Sequence, residues 1–129
     1  MPITQLSPLS IAESLVDYWS PCIIGEVDDT YIKVAKVRGE FVWHQHSNED
    51  EFFFILRGTL EIQLEGSTII LNSGESTVIP KGVLHCPRAR NECLIMLIER
   101  KTTHHTGGVE SPLTKTIDQQ MAPDVTSGE

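Results

Sequence analysis

The side chains best suited to chemistry in this chain are His44, His46, Glu51 and His85. His44 and His46 stand two apart in an apolar stretch. On an extended segment both imidazoles therefore project from one face, while Trp43 and Gln45 take the other. Ser47 to Asp50 is polar and reads as a loop, after which Glu51 opens the next apolar run and can turn back toward the two rings. The turn Pro80-Lys81-Gly82 ends one strand and delivers His85 near the start of another. Three imidazoles and one carboxylate suit a divalent transition ion with coordination positions left open for water or a ligand, and Mn, Fe, Co, Ni, Cu and Zn all accept such donors. Holding the ion requires neutral histidines and an ionised Glu51, a state the ion itself enforces near neutral pH.

The elements that must position these residues are mostly strands. Ser10 and Glu13 have the spacing of a capping box, and Ile11, Leu15 and Tyr18 share a helical face, so a short helix is expected from Ile11 to about Tyr18. Strands are then expected at 22–27, 31–37, 51–57, 59–65, 68–71, 76–79, 83–88 and 92–100, with Asn91 at the last turn. Together with the histidine segment this makes about nine or ten short strands separated by Gly, Asn and Asp turns, the pattern of an all-β sandwich or barrel. The segment 51–57 is apolar on both faces, which expects cover by a second layer or a second subunit. In 59–65, Leu60, Ile62 and Leu64 alternate with Glu61 and Gln63, and the polar set is expected to face solvent. The opposite phase would bring Glu61 and Gln63 to the pocket. Trp43 is assigned to packing against Phe52 and Phe54.

Two stretches resemble the paired motifs of the cupin superfamily, of the small single-domain, metal-binding type. The first is Gly39, His44, His46, Glu51 and Gly58, one residue short between the glycine and the first histidine. The second is Gly74, Pro80, Gly82 and His85, with Ala89 where the family pattern has an asparagine that is not usually a ligand. The resemblance runs over roughly residues 22 to 100. It implies a jelly-roll, or double-stranded β-helix, barrel with a short N-terminal helix, and metal ligation by His44, His46, Glu51 and His85. It also implies one divalent ion per chain, since cupins with this ligand set are similar to Mn, Fe, Ni and Zn proteins alike. Residues 1–20 are then an arm, 21–100 the barrel, and 101–129 a wrap whose last residues are loose. The reaction does not follow from the fold, because this architecture hosts many chemistries.

A chain of 129 residues fits one domain, and a net charge of −8 argues against a nucleic-acid surface. No apolar run approaches the roughly 20 residues of a membrane span. Three cysteines, Cys22, Cys86 and Cys93, with no C-x-x-C pair, point to a reducing cytoplasm. Cys86 reads as a small buried hydrophobe facing away from His85. Glu49 and Asp50 read as a solvated loop tip, and His104-His105 as part of a polar wrap over the mouth; a second metal site there would have only Glu110 to add.

Three functions compete. A small-molecule metalloenzyme with dioxygenase-like chemistry stands first, because metal and substrate supply most of the reactivity. A sugar or sugar-phosphate isomerase, of the mannose-6-phosphate isomerase type, stands second. It needs a proton-shuttling base and a phosphate pocket, and the cations near the second motif are Lys81, Arg88 and Arg90. A non-catalytic module that binds metal or metabolite stands third. The two-faced strands and the helical arm also predict a homodimer.

Overall fold

The computed structural model of the chain describes residues 3–121. The helix α1 spans Pro8–Ser14. The strands follow as β1 (Cys22–Val27), β2 (Thr30–Glu40), β3 (Glu51–Arg57), β4 (Thr59–Leu64), β5 (Ser67–Asn72), β6 (Ser76–Ile79) and β7 (His85–Arg100), and a short helix α2 (Ile117–Gln120) comes last. The strands join in one antiparallel system of order β1-β2-β7-β3-β6, with β4 pairing both β7 and β5. This is the all-β jelly-roll barrel with a short N-terminal helix that the motifs imply.

β7 makes the barrel. Its first residues, His85 to Arg88, pair with β4, whereas Leu94 to Glu99 pair with β3. β2 runs beside it almost throughout. One strand therefore belongs to both layers, and the corner falls at the exposed residues Arg90, Asn91 and Glu92. The partners accommodate the corner with register shifts at Val37/Gly39 in β2 and Ile55/Arg57 in β3, the usual way a sheet bends without losing its ladder. Gly58 sits against this corner: a Cβ there would lie 3.1 Å from both the Cys93 Cα and the Glu92 carbonyl oxygen. The expected turn at Asn91 is thus a bend within a continuous strand. Polar, exposed residues mark both features, and only the ladder separates them.

Side-chain parity sorts the core. Ala35, Val37, Phe53, Ile55, Leu60, Ile62, Cys93, Ile95 and Leu97 point into the barrel. Val34 and Leu94 point out and are covered by α1 through Ile11, Ala12 and Leu15. Leu60 and Ile62 are fully buried, so β4 takes the expected phase. Glu61 faces outward to Arg88 and Arg90, and Gln63 to Glu40 and the Cys86 carbonyl.

The helix starts and ends earlier than expected. Ser7, not Ser10, caps it, with its hydroxyl accepting the Ser10 N–H, and Pro8 occupies the first turn, where its missing N–H costs nothing. It stops at Ser14, and the chain then runs through the exposed Val16 and Tyr18 to bury Trp19 in the barrel. Tyr18 bridges to Lys36, and the Trp19 indole donates to the Arg38 carbonyl at 2.8 Å and stacks on Phe41 at 4.9 Å.

Beyond β7 the chain wraps back over the barrel. α2 carries a full capping box between Thr116 and Gln119, and Met121 bridges to Ile23 of β1. The loose tail expected beyond Met121 lies outside the described residues.

Candidate metal centre

The segment carrying His44 and His46 is not a regular strand. It is held to the start of β7 by a narrow set of bonds: Phe41 N–H to the Pro87 carbonyl, a reciprocal pair between His44 and His85 at 2.9 Å, and Gly82 N–H to the His46 carbonyl. This suffices to keep the alternation. His44 and His46 are buried, and Gln45 and Trp43 are exposed. Trp43 does point away from the site, but at 42% exposure it is a surface residue and not the packing partner of Phe52 and Phe54 that parity suggested.

His44, His46, Glu51 and His85 converge, all buried, with one potential ligand atom from each lying within 4.8 Å of all the others. Backbone carbonyls set the tautomers. His44 Nδ1 lies 2.9 Å from the Val42 carbonyl, and His85 Nδ1 lies 2.9 Å from the Val83 carbonyl. A carbonyl accepts only, so each Nδ1 carries the proton and each Nε2 is left as a bare lone pair. Yet His85 Nε2 is 3.3 Å from Glu51 Oε1, and His46 Nε2 is 3.4 Å from the same oxygen. His46 Nε2 is buried with no hydrogen-bond partner. Acceptors facing acceptors in a buried cluster repel unless a cation stands between them. The donor set therefore fits a divalent transition ion.

Electrostatics agree. Burial, then the neighbouring His85, push the His44 imidazole down to about 4, so it stays neutral as a ligand must. Burial opposes charge on Glu51; its carboxyl lies well below the usual range when His46 and His85 turn N–H toward it, a place that a bound cation would take when those nitrogens are bare. Glu99 lies opposite Glu51 in the β3–β7 ladder and moves the other way, well above the usual range, through burial and then the charge on Glu51. Its partner Lys33 is 1% exposed and donates to Glu99 Oε2 at 2.7 Å. This buried pair was not anticipated: parity places Lys33 with Ala35 and Val37, but a lysine in a strand normally implies the solvent side.

The folded pKa of His44 lies below the ~6.5 of the unfolded chain. Stability from its neutral form is thus fully present above ~6.5 and is lost as pH falls toward about 4. At about 1.4 kcal/mol per pH unit, this one group accounts for about 3 kcal/mol. Urea unfolding of the metal-free protein and of His44→Gln at pH 7 and pH 5 should show the advantage of the wild type shrinking as pH falls, and a difference that does not change with pH would remove the neutral, buried His44.

Other expected residues lie elsewhere. Lys81 is exposed and lines an outer groove with Asp29, Asp50 and Arg100, apart from the histidines. Arg88 and Arg90 are committed to Glu61. Asp50 accepts the Lys81 N–H, and Glu49 accepts from Thr102, which ties the loop tip to the wrap. Cys86 is buried away from the cluster, its thiol pushed up to about 11 chiefly by burial. His104 and His105 are not members of the ligand cluster. His104 lines a surface groove over His46, with Gln45, Glu49 and Thr102. His105 turns inward, 5.0 Å from the Phe41 ring, and burial pushes it down to about 4.

A cavity of about 30 Å3 adjoins the cluster, bordered by His44, Glu51 and His105 and walled by Trp19, Phe41, Phe53 and neighbouring aliphatic side chains.

Comparison with known proteins bears on family and fold. Residues 31–106 match the family described as a cupin domain. The uncharacterized protein YdbB of Bacillus subtilis is 33% identical over 94 residues, covering 72% of this chain and 83% of that one. A cupin-2 domain containing protein from Shewanella frigidimarina superimposes with a TM-score of 0.72 at 44% identity, covering 74% of this chain and 93% of that one. A Sphingomonas hydroquinone 1,2-dioxygenase, solved with 4-hydroxybenzoate bound, has a TM-score of 0.64 at 14% identity over 75% of this chain and 74% of its own, a likeness of fold alone.

Proposed function

The chain belongs to the cupin family, and from the buried cluster His44, His46, Glu51 and His85 we propose that it is a metal-dependent enzyme acting on a small molecule with dioxygenase-like chemistry. The observation that carries this reading is the meeting of two imidazole nitrogens at one carboxylate oxygen, His85 Nε2 bare and His46 Nε2 without a hydrogen-bond partner, beside a small, largely apolar cavity. When bound, one ion per chain, Mn, Fe, Ni or Zn, would supply Lewis-acid and, for Fe or Mn, redox chemistry at its open positions. The protein's part is to hold the ligand tautomers through the Val42 and Val83 carbonyls, to keep Glu51 ionised, and to restrict water with the Trp19, Phe41 and Phe53 walls.

Isomerisation of a sugar phosphate has less support. Arg88 and Arg90 are paired on the outer face, and the exposed Lys81 is directed to another groove. A non-catalytic metal or metabolite sensor would use the same ligands and is the reading that remains if turnover is absent. The decisive experiment is elemental analysis of untagged protein purified without chelator, with EPR and oxygen uptake on diols, enols and thiols. About one Fe or Mn per chain and uptake with one of these classes is the expected result. Zinc, or no metal, would sink the oxygen chemistry.

We also propose a homodimer. The outer face of the sheet carries a row of apolar residues in register, Ile32, Ile98, Phe52 and Val78, beside Met96 and Phe54. Val78 is 53% exposed and Ile32, Phe52, Phe54, Met96 and Ile98 are half-buried, so the row is only partly covered within the chain. A self-complementary apolar face of this kind suits a two-fold contact, and a monomeric elution volume at micromolar concentration would remove it. Cytoplasmic residence belongs to the same proposal, from three buried, unpaired thiols. Among the described residues no helix is long and apolar enough to cross a membrane.

A further inference from the structure

The cavity beside the cluster offers a bound molecule very few polar groups, and they can be counted by what each is already doing. Among its lining residues, the Trp19 indole N–H is committed to the Arg38 carbonyl. The His44 Nδ1–H is committed to the Val42 carbonyl, and Glu51 is an acceptor. The aliphatic and phenyl walls have nothing to donate. His105 is different because its backbone partner is of the opposite kind. Its Nδ1 lies 2.9 Å from the Lys115 backbone nitrogen and accepts that N–H. An accepting Nδ1 cannot carry the proton, so a neutral His105 holds it on Nε2. His44 and His85 are bare at Nε2 and suited to a metal, whereas His105 is a donor at Nε2 and unsuited to one.

The wrap that carries His105 is fixed against the ligand segment. At Gly107 (φ +61), a Cβ would lie 2.2 Å from the Gln45 carbonyl oxygen, so the backbones touch between the two ligand histidines. Thr106, 1% exposed, bonds to the Val109 carbonyl and to Thr114, and Gln120 donates to the Lys115 carbonyl. The residue that sets the His105 tautomer is thereby itself held in place.

We propose that His105 is the orienting donor of this site, its Nε2–H binding the oxygen of an oxyanionic ligand head, a carboxylate or enolate, that enters the cavity beside the metal cluster. The inference rests on the metal reading above and names the ligand class for it. A charge-assisted bond to an anionic oxygen is the strongest use of one fixed donor in apolar surroundings. A cavity of about 30 Å3 admits the head of such a ligand and not a whole ring.

The test uses cobalt(II)-loaded protein, whose visible spectrum reports on groups entering the metal's open position, with acetate as the probe. Wild type, His105→Phe and His105→Gln are compared. Phenylalanine keeps a ring against Phe41 and removes the donor; glutamine restores an N–H. The expected result is about tenfold weaker acetate binding in His105→Phe, partial recovery in His105→Gln, and unchanged cobalt per chain in all three. Equal acetate affinities at equal cobalt loading would overturn the role of His105 and leave the metal reading intact. Failure of wild type to take up cobalt would overturn both. On the metal-free protein, histidine 15N spectra at pH 7 should show His105 as the Nε2–H tautomer, and the Nδ1–H form would also overturn the proposal.

Discussion

Alanine in place of His46 is expected to abolish metal uptake while leaving the barrel folded. In the proposed metal centre His46 Nε2 would be one of the ligands, and disturbing even the supporting shell of such a site commonly costs about 10–100-fold in affinity. Loss of a ligand should exceed that. The fold should survive because His46 lies on a segment joined to its neighbours by few backbone bonds, and its own link, the Gly82 N–H to its carbonyl, is independent of the side chain. Removing the imidazole also removes a buried nitrogen that has no partner in the metal-free protein, a defect of about 1–3 kcal/mol. Metal-free wild type and His46→Ala should therefore unfold within about 1–2 kcal/mol of each other. The two separate on adding metal: wild type gains about 4 kcal/mol at a thousandfold excess over its dissociation constant, and the variant gains nothing. Elemental analysis, far-UV circular dichroism and denaturant unfolding measure all three quantities. Full metal occupancy in the variant would mean that the ligand set is wrong.

That the four residues which cluster could be named before any coordinates follows from parity and chemistry together. His44 and His46 share a face because extended backbone alternates, even where the ladder is too sparse to be a strand. Glu51 opens β3 because the apolar run begins there. Elements with clean alternation, such as β4, were legible down to the buried face. Legibility failed where tertiary structure reuses a local signal. Arg90, Asn91 and Glu92 look like a turn and are a barrel corner. Leu15 to Tyr18 continues a helical pattern, but Trp19 is needed to fill the barrel beside Phe41. His105 carries no signal in its spacing, since it reaches the site along an irregular segment and its chemistry depends on the Lys115 amide. The Lys33–Glu99 pair was hidden for a different reason. Its partners meet only through the registers of β2, β7 and β3, which residue pattern does not specify.

That pair carries the second large effect, and it should be asymmetric. Lys33 and Glu99 are 1% and 4% exposed, and their contact is 2.7 Å. Breaking a buried pair usually costs about 3–5 kcal/mol because one charge is stranded. Glu99→Leu should cost this much, since the buried Lys33 Nζ then loses its oxygen partner. Lys33→Met should cost less, about 1–2 kcal/mol near pH 5, because Glu99 can hold a proton and remain hydrogen-bonded to Glu51. The folded pKa of Glu99 is raised, so the stability of its neutral form is fully present below the unfolded value near ~4.3 and is lost as pH rises through the folded value. The deficit of Lys33→Met should accordingly grow with pH. Glu99→Gln keeps an acceptor for Lys33 and a donor for Glu51 and should be the mildest of the three. Denaturant unfolding of the metal-free variants at two pH values decides the matter. If Lys33→Met is as damaging as Glu99→Leu and its deficit does not change with pH, then Glu99 is an ordinary carboxylate. Glu51 would then face a second negative charge across the ladder, and the cluster would need its cation more strongly still.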